Sequence, residues 1–131
     1  MNNYGYTKAV GTSLEQAIED ITFSLAAQGF GILTTIDMQS KVKEKLGKDM
    51  EPYMILWACN PGLAHQAVQA EHEIGLFLPC NIIVYQKQSQ VFISTILPTS
   101  AMSVIQNPTV DGIAQTAEAK LKQAIDQVWM D

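Results

Sequence analysis

Basic residues are scarce in this chain. Eight Lys and Arg stand against thirteen Asp and Glu among 131 residues, a formal net charge of −5. A phosphate backbone is gripped by clustered Lys and Arg, so nucleic acid is not an expected partner. The densest basic group, Lys41, Lys43, Lys45 and Lys48, is interrupted by Glu44 and followed by Asp49 and Glu51. It reads as the solvated face of a helix. Charge of either sign is low, at 16% of residues. Apolar stretches that look exposed therefore call for a partner, and a second copy of the chain is the commonest one. No apolar run reaches the ~18 residues of a membrane span. The opening Met1-Asn2-Asn3-Tyr4-Gly5 has neither the basic start nor the apolar stretch of an export signal. No membrane partner is expected, and the cytoplasm is the expected compartment.

Recognisable reaction motifs are missing too. There is no Gly-rich phosphate loop, no Ser-His-Asp order and no Cys-x-x-Cys pair. Gly29-Phe30-Gly31 lacks the spacing of a dinucleotide fingerprint and reads as a helix stop before a strand. Cysteine occurs twice, at Cys59 and Cys80, and histidine twice, at His65 and His72. Zinc usually takes four ligands arranged in close local pairs, and neither cysteine has such a neighbour. The two histidines share a helix face but stand ~10 Å apart along its axis, too far to grip one ion easily. No metal and no cofactor is expected. Glu71 falls near the apolar side of the same helix, where fraying of the helix end would let it reach solvent.

What is present is a regular alternation of strand and helix signals. Residues 4–10 are rich in β formers. Ser13 with Gln16 makes a capping-box pattern, and Leu14, Ala17, Ile18, Ile21, Leu25 and Ala26 recur at helical spacing up to Gly29. Residues 30–36 read as a second strand. Asp37 then caps a short surface helix carrying Met38, Val42 and Leu46 and closed by Gly47. Residues 53–59 are nearly all apolar, which predicts a third strand buried on both faces. Asn60 and Pro61 suit the cap and first position of a third helix running to about Glu73. Its Leu63, Ala64, Ala67, Val68 and Ala70 gather on one side. Residues 76–85 are extended and apolar. Pro79 cannot donate to a ladder, so the regular strand is expected from Cys80. A polar turn at 86–90 leads to a hairpin partner at 91–97. Residues 98–108 read mostly as loop, with a short turn at 101–105. A last helix is predicted from about Thr109 to Met130, with a stripe of Val110, Ile113, Ala114, Ala117, Leu121, Ala124, Ile125 and Val128 extended by Trp129.

The order is strand, helix, strand, helix, strand, helix, strand, strand, helix, with no repeat or linker. A chain of this size hides roughly two-thirds of its unfolded surface, and one domain over 1–131 is expected. The closing hairpin must be antiparallel, and the second helix looks like an insertion. The expected class is therefore α+β: a mainly antiparallel five-stranded sheet, two long helices over one face, and two shorter helices inserted at strand ends.

The two cysteines lie in similar surroundings. One segment reads Trp57-Ala58-Cys59-Asn60-Pro61 and the other Leu78-Pro79-Cys80-Asn81. Together with Ala64, Ala67, Gly75-Leu76 and Ile82-Ile83-Val84, they resemble a bacterial and archaeal family, domain of unknown function 302. That family couples a Cys-Asn-Pro turn to a Gly-Leu-x-Leu-Pro-Cys-Asn strand. The resemblance spans nearly the whole chain in length and order, and its specific part covers residues 57–85. It implies a small α+β domain arranged like the TATA-binding protein and pairing as a homodimer, with no established activity. A fold shared with a DNA-binding protein does not carry DNA binding to an acidic chain.

If the third and fourth strands are antiparallel neighbours, Cys59 ends one where Cys80 begins the other. The helix start at Asn60 would lower a nearby thiol pKa and favours Cys59 as thiolate. Three readings follow. The cysteines pack as small hydrophobes; or a small ligand or anion binds at Cys59, Asn60, Cys80 and Asn81; or the thiols carry redox or transfer chemistry. The leading functional expectation is a non-enzymatic homodimeric binding domain, with a thiol enzyme and a purely structural module as its rivals.

Overall fold

Local signals place most of the elements in this computed structural model, which describes residues 2–78 and 80–128. Their order is β1 (Gly5–Val10), α1 (Leu14–Ala27), β2 (Gly31–Asp37), α2 (Met38–Leu46), β3 (Tyr53–Cys59) and α3 (Pro61–Ala70). A 3-10 helix (His72–Phe77), β4 (Cys80–Lys87), β5 (Gln90–Ile96), α4 (Pro98–Ala101) and α5 (Pro108–Asp126) follow. The Ser13 side chain accepts from Gln16 N–H and starts α1. Asp37 accepts from Ser40 N–H and starts α2, and left-handed Gly47 ends it. Helix α1 stops in a paired closure: Gly29 N–H donates to Ala26 O at 3.0 Å and Phe30 N–H to Leu25 O at 2.9 Å. This closure puts its penultimate residue in left-handed space, which glycine enters freely. Gly29 sits there at φ 84°.

The five strands form one antiparallel sheet in the order β1-β5-β4-β3-β2. Register sorts the side chains. Leu56 and Ala58 of β3, Cys80, Ile82 and Val84 of β4, and Val91 and Ile93 of β5 share one face and are buried. Ile21 and Leu25 of α1 and Leu121 and Ile125 of α5 close over them. The expected α+β class, five-stranded sheet and long covering helices are what the chain forms. Ser24 Oγ donates to Ala124 O at 2.6 Å and joins the two long helices.

Four expectations need correction. Strand β3 is not buried on both faces: Trp57 is 37% exposed, and Tyr53 and Ile55 are only half-buried. An antiparallel sheet with both long helices on one side leaves its other face open. Ala26 of α1 is exposed, and Ser24 takes the buried position instead. Helix α3 ends at Ala70, not Glu73, because Glu71 adopts extended backbone and the chain tightens into the 3-10 helix. Within the loop expected at 98–108, Pro98–Ala101 forms α4, with proline at its first turn. Helix α5 is described to Asp126, and the expectations placed on Pro79, Trp129 and Met130 fall outside the described residues.

Candidate functional site

Two apolar clusters make up the interior. The larger lies between the sheet and the long helices. The smaller gathers Ala67 of α3, Ile74 of the 3-10 helix, Met102, and Val110 and Ala114 of α5. A cavity of about 320 Å³ lies at their junction. Phe30, Ala58, Cys80 and Ala117 belong to the larger cluster, and Ala67, Met102 and Ala114 to the smaller; all seven line it. Small side chains explain the space. Where two packed layers meet at alanines, no side chain reaches across to fill the gap. Leu33 reaches the same cavity from β2, at a shift in the β2–β3 register between Ile32 and Thr34. Such a bulge re-aims the strand locally.

Of the residues expected at a site, the fold brings three to this cavity: Cys59, Asn60 and Cys80. Strand pairing sets Cys80 opposite Ala58, one residue before Cys59. Cys80 is buried, Cys59 is half-buried, and both are free thiols. Burial pushes the Cys80 thiol up from 9.0 to about 11, and the neighbouring Cys59 adds to the push. A neutral Cys80 is therefore the resident form at neutral pH. Asn81 does not reach the cavity. Successive side chains of a strand face opposite ways, and Asn81 is exposed beside Trp57 on the open face. His65 and His72 are exposed, and Glu71 is half-buried at the end of α3. Among the described residues no three His, Cys, Asp or Glu side chains cluster as a metal site.

Asn60 has structural duties. Its Oδ1 accepts from Leu63 N–H at 3.2 Å, capping α3, and its Nδ2 donates to Gln28 O at 3.5 Å, at the end of α1. Asn107 repeats the arrangement at α5. Its Oδ1 accepts from Thr109 and Val110 N–H, capping α5, and its Nδ2 donates to Ala70 O at 3.0 Å, at the end of α3. Each asparagine thus starts one helix and holds the end of another. Glu118 fastens α4 to α5 by accepting from Thr99 N–H at 3.0 Å and Thr99 Oγ1 at 2.6 Å.

The α4 and α5 contribution was not foreseen. In the sequence, Ala114 and Ala117 look like ordinary members of a core stripe. The available signal was their size, two alanines where the stripe's flanks carry Val110, Ile113 and Leu121. The Asn107-Pro108 pair, built like Asn60-Pro61, also marked the helix start.

Comparison with known proteins gives a consistent family assignment. The family described as "Domain of unknown function DUF302" matches residues 6–128. The fold is similar to the crystal structure of an uncharacterized conserved DUF302 protein from Bacillus stearothermophilus, with a TM-score of 0.91 and 32% identity. That match covers 97% of this chain and 99% of the other. No curated protein matches the chain.

Proposed function

The chain belongs to the DUF302 family, and from that footing we propose that it is a non-enzymatic binding domain that takes a small molecule in the cavity beside Cys59, Asn60 and Cys80. The observation that carries this reading is the unfilled seam itself. It opens to solvent, its walls are almost wholly apolar, and its volume of about 320 Å³ lies at the lower end of ligand pockets, which begin at about 300 Å³. The rival thiol enzyme takes Cys59 as its thiolate and Cys80 as its second thiol, and the burial that raises the Cys80 pKa works against that second role. The test is thermal unfolding of wild type and Ala117→Met with a panel of neutral small molecules. Stabilisation of wild type that is lost in Ala117→Met supports the reading. A panel that leaves wild type unmoved sinks it.

The same proposal includes pairing of two copies through the open face of the sheet. Ile55, Trp57, Ile83, Tyr85 and Phe92 stand there, and the rings of Tyr53, Tyr85 and Phe92 stack in sequence at 5.7 and 5.2 Å. Across the five strands Lys87, at the end of β4, is the only charged residue at an open-face position. Two acidic chains can therefore meet there without opposing like charges. Five strands of about six residues give a footprint of roughly 500 Å² per partner, near the lower bound for a biological contact. Light scattering at micromolar concentration tests it: a 14.4 kDa particle overturns the pairing. Free thiols suit a reducing compartment such as the cytoplasm.

A further inference from the structure

We infer that the cavity selects an uncharged, hydrocarbon-rich molecule and excludes small anions. This rests on the binding reading above and names its ligand class. No Asp, Glu, Lys, Arg or His lines the cavity among the described residues, so a charged guest would meet no counter-charge. Burying an unpaired ion costs several kcal/mol, far more than the apolar contact it would gain.

The start of α3 could have offered an anion seat, but most of its donors are committed, and Gly62, which carries the remaining N–H of the first turn, is not among the residues that line the cavity. Pro61 has no N–H. Leu63 N–H is taken by Asn60 Oδ1 and Ala64 N–H by Asn60 O. Gln28 O, the carbonyl at the end of α1, faces the Asn60 amide from the other side. The positive end of one helix thus already meets the negative end of another, and little field is left for a third group. The polar groups that remain at the wall are two thiols, which are weak donors and suit a single hydroxyl or carbonyl at most.

Size narrows the class. An apolar cavity of about 150 Å³ holds benzene. A cavity of about 320 Å³ is roughly twice that, so the part of the guest held inside has about a dozen heavy atoms.

The experiment uses the full chain and four probes: 1-nonanol, nonanoate, nonyltrimethylammonium and inorganic phosphate, each titrated calorimetrically at neutral pH. The expected result is binding of 1-nonanol at least about 100-fold tighter than either charged homologue, with no heat from phosphate. Ala64→Leu at α3 and Ala114→Leu at α5 each abolish 1-nonanol binding, with folding checked by circular dichroism. Nonanoate or phosphate binding as tightly as 1-nonanol, and lost in the same variants, overturns the ligand class while leaving the site standing. Binding of 1-nonanol that survives both substitutions overturns the site as well. No binding by any probe overturns both, and the comparison among probes in wild type depends on neither variant folding.

Discussion

The two apolar clusters are built from different residues and do different work. The larger is filled by Ile21, Leu25, Leu56, Ile82, Ile93, Leu121 and Ile125, none more than 1% exposed. The smaller has only five buried members, Ile74 and Val110 with Ala67, Ala114 and Met102, and the latter three face the cavity where it meets the larger. Branched side chains interlock across a sheet and leave no gap, whereas alanines set a spacing without filling it. Rigidity of the domain is therefore concentrated beneath the sheet, and room for a guest is concentrated where the α3–α4 lobe meets α5. The same helix supplies both: Leu121 and Ile125 at one end, Ala114 and Ala117 toward the other.

The largest expected effect breaks the filled side. Leu121→Ala should lose about 3–5 kcal/mol, because it removes a fully buried side chain and leaves a void the sheet cannot collapse into. Denaturant titration measures it. At the seam, Ala114→Leu should change stability by less than about 1 kcal/mol in either direction, since its added carbons enter existing space. If the two substitutions cost the same, the contrast between the clusters is wrong.

Alkaline pH gives a second separation. The Cys80 thiol is raised from 9.0 to about 11 by burial first and by Cys59 second. Below pH 9 the thiol is protonated in both folded and unfolded chains and adds no pH dependence. Between pH 9 and 11 only the unfolded chain ionises, so stability falls as pH rises. The loss should reach the order of 2–3 kcal/mol. Cys80→Ala should remove that part of the alkaline slope, read as the difference between the two proteins' unfolding curves. An unchanged slope would show that Cys80 is not buried as described.

A smaller effect tests how the lobe is held. Asn107→Ala removes the cap of α5 and the tie to Ala70 O together, with an expected loss of about 1–2 kcal/mol. Asn107→Asp retains the cap and loses only the donated tie, so it should cost less than the alanine variant. Hydrogen exchange should then show faster opening at α3 than at α1 in both variants. A small change is also expected at Met102. Met102→Leu conserves volume and should stay within about 1.5 kcal/mol.

Much of this fold can be read from local chemistry. The Ser13, Asp37 and Asn60 caps, the Gly47 stop and the strand pairing around Cys80 all follow from residue types at fixed spacing. Burial was less legible. Tyr53-Met54-Ile55-Leu56-Trp57 is apolar at every position, and an open sheet face made of apolar residues has the same composition as a buried one. The extent of α3 is not legible because Glu71, His72 and Glu73 carry no stop signal, and the first glycine, Gly75, comes after the point where Glu71 turns extended. Half of the site was legible through Cys59, Asn60 and Cys80. The other half depends on α4 and α5 returning over the sheet, a long-range contact that no local pattern encodes. Asn81 was assigned with its neighbour Cys80, although strand alternation sends the two to opposite faces.

The cap-and-tie asparagines have one more property, which concerns how the protein ages. Asparagine deamidates when the backbone nitrogen of the next residue attacks the side-chain amide and gives up its hydrogen. Asn60 precedes Pro61 and Asn107 precedes Pro108, and proline has no hydrogen to give. Asn2, Asn3 and Asn81 precede other residues and lack that protection. The proline after each of these helix-opening asparagines thus also preserves the amide that ties an earlier helix, α1 or α3, and the lobe around the cavity should keep its moorings through long storage while amides elsewhere convert to acids.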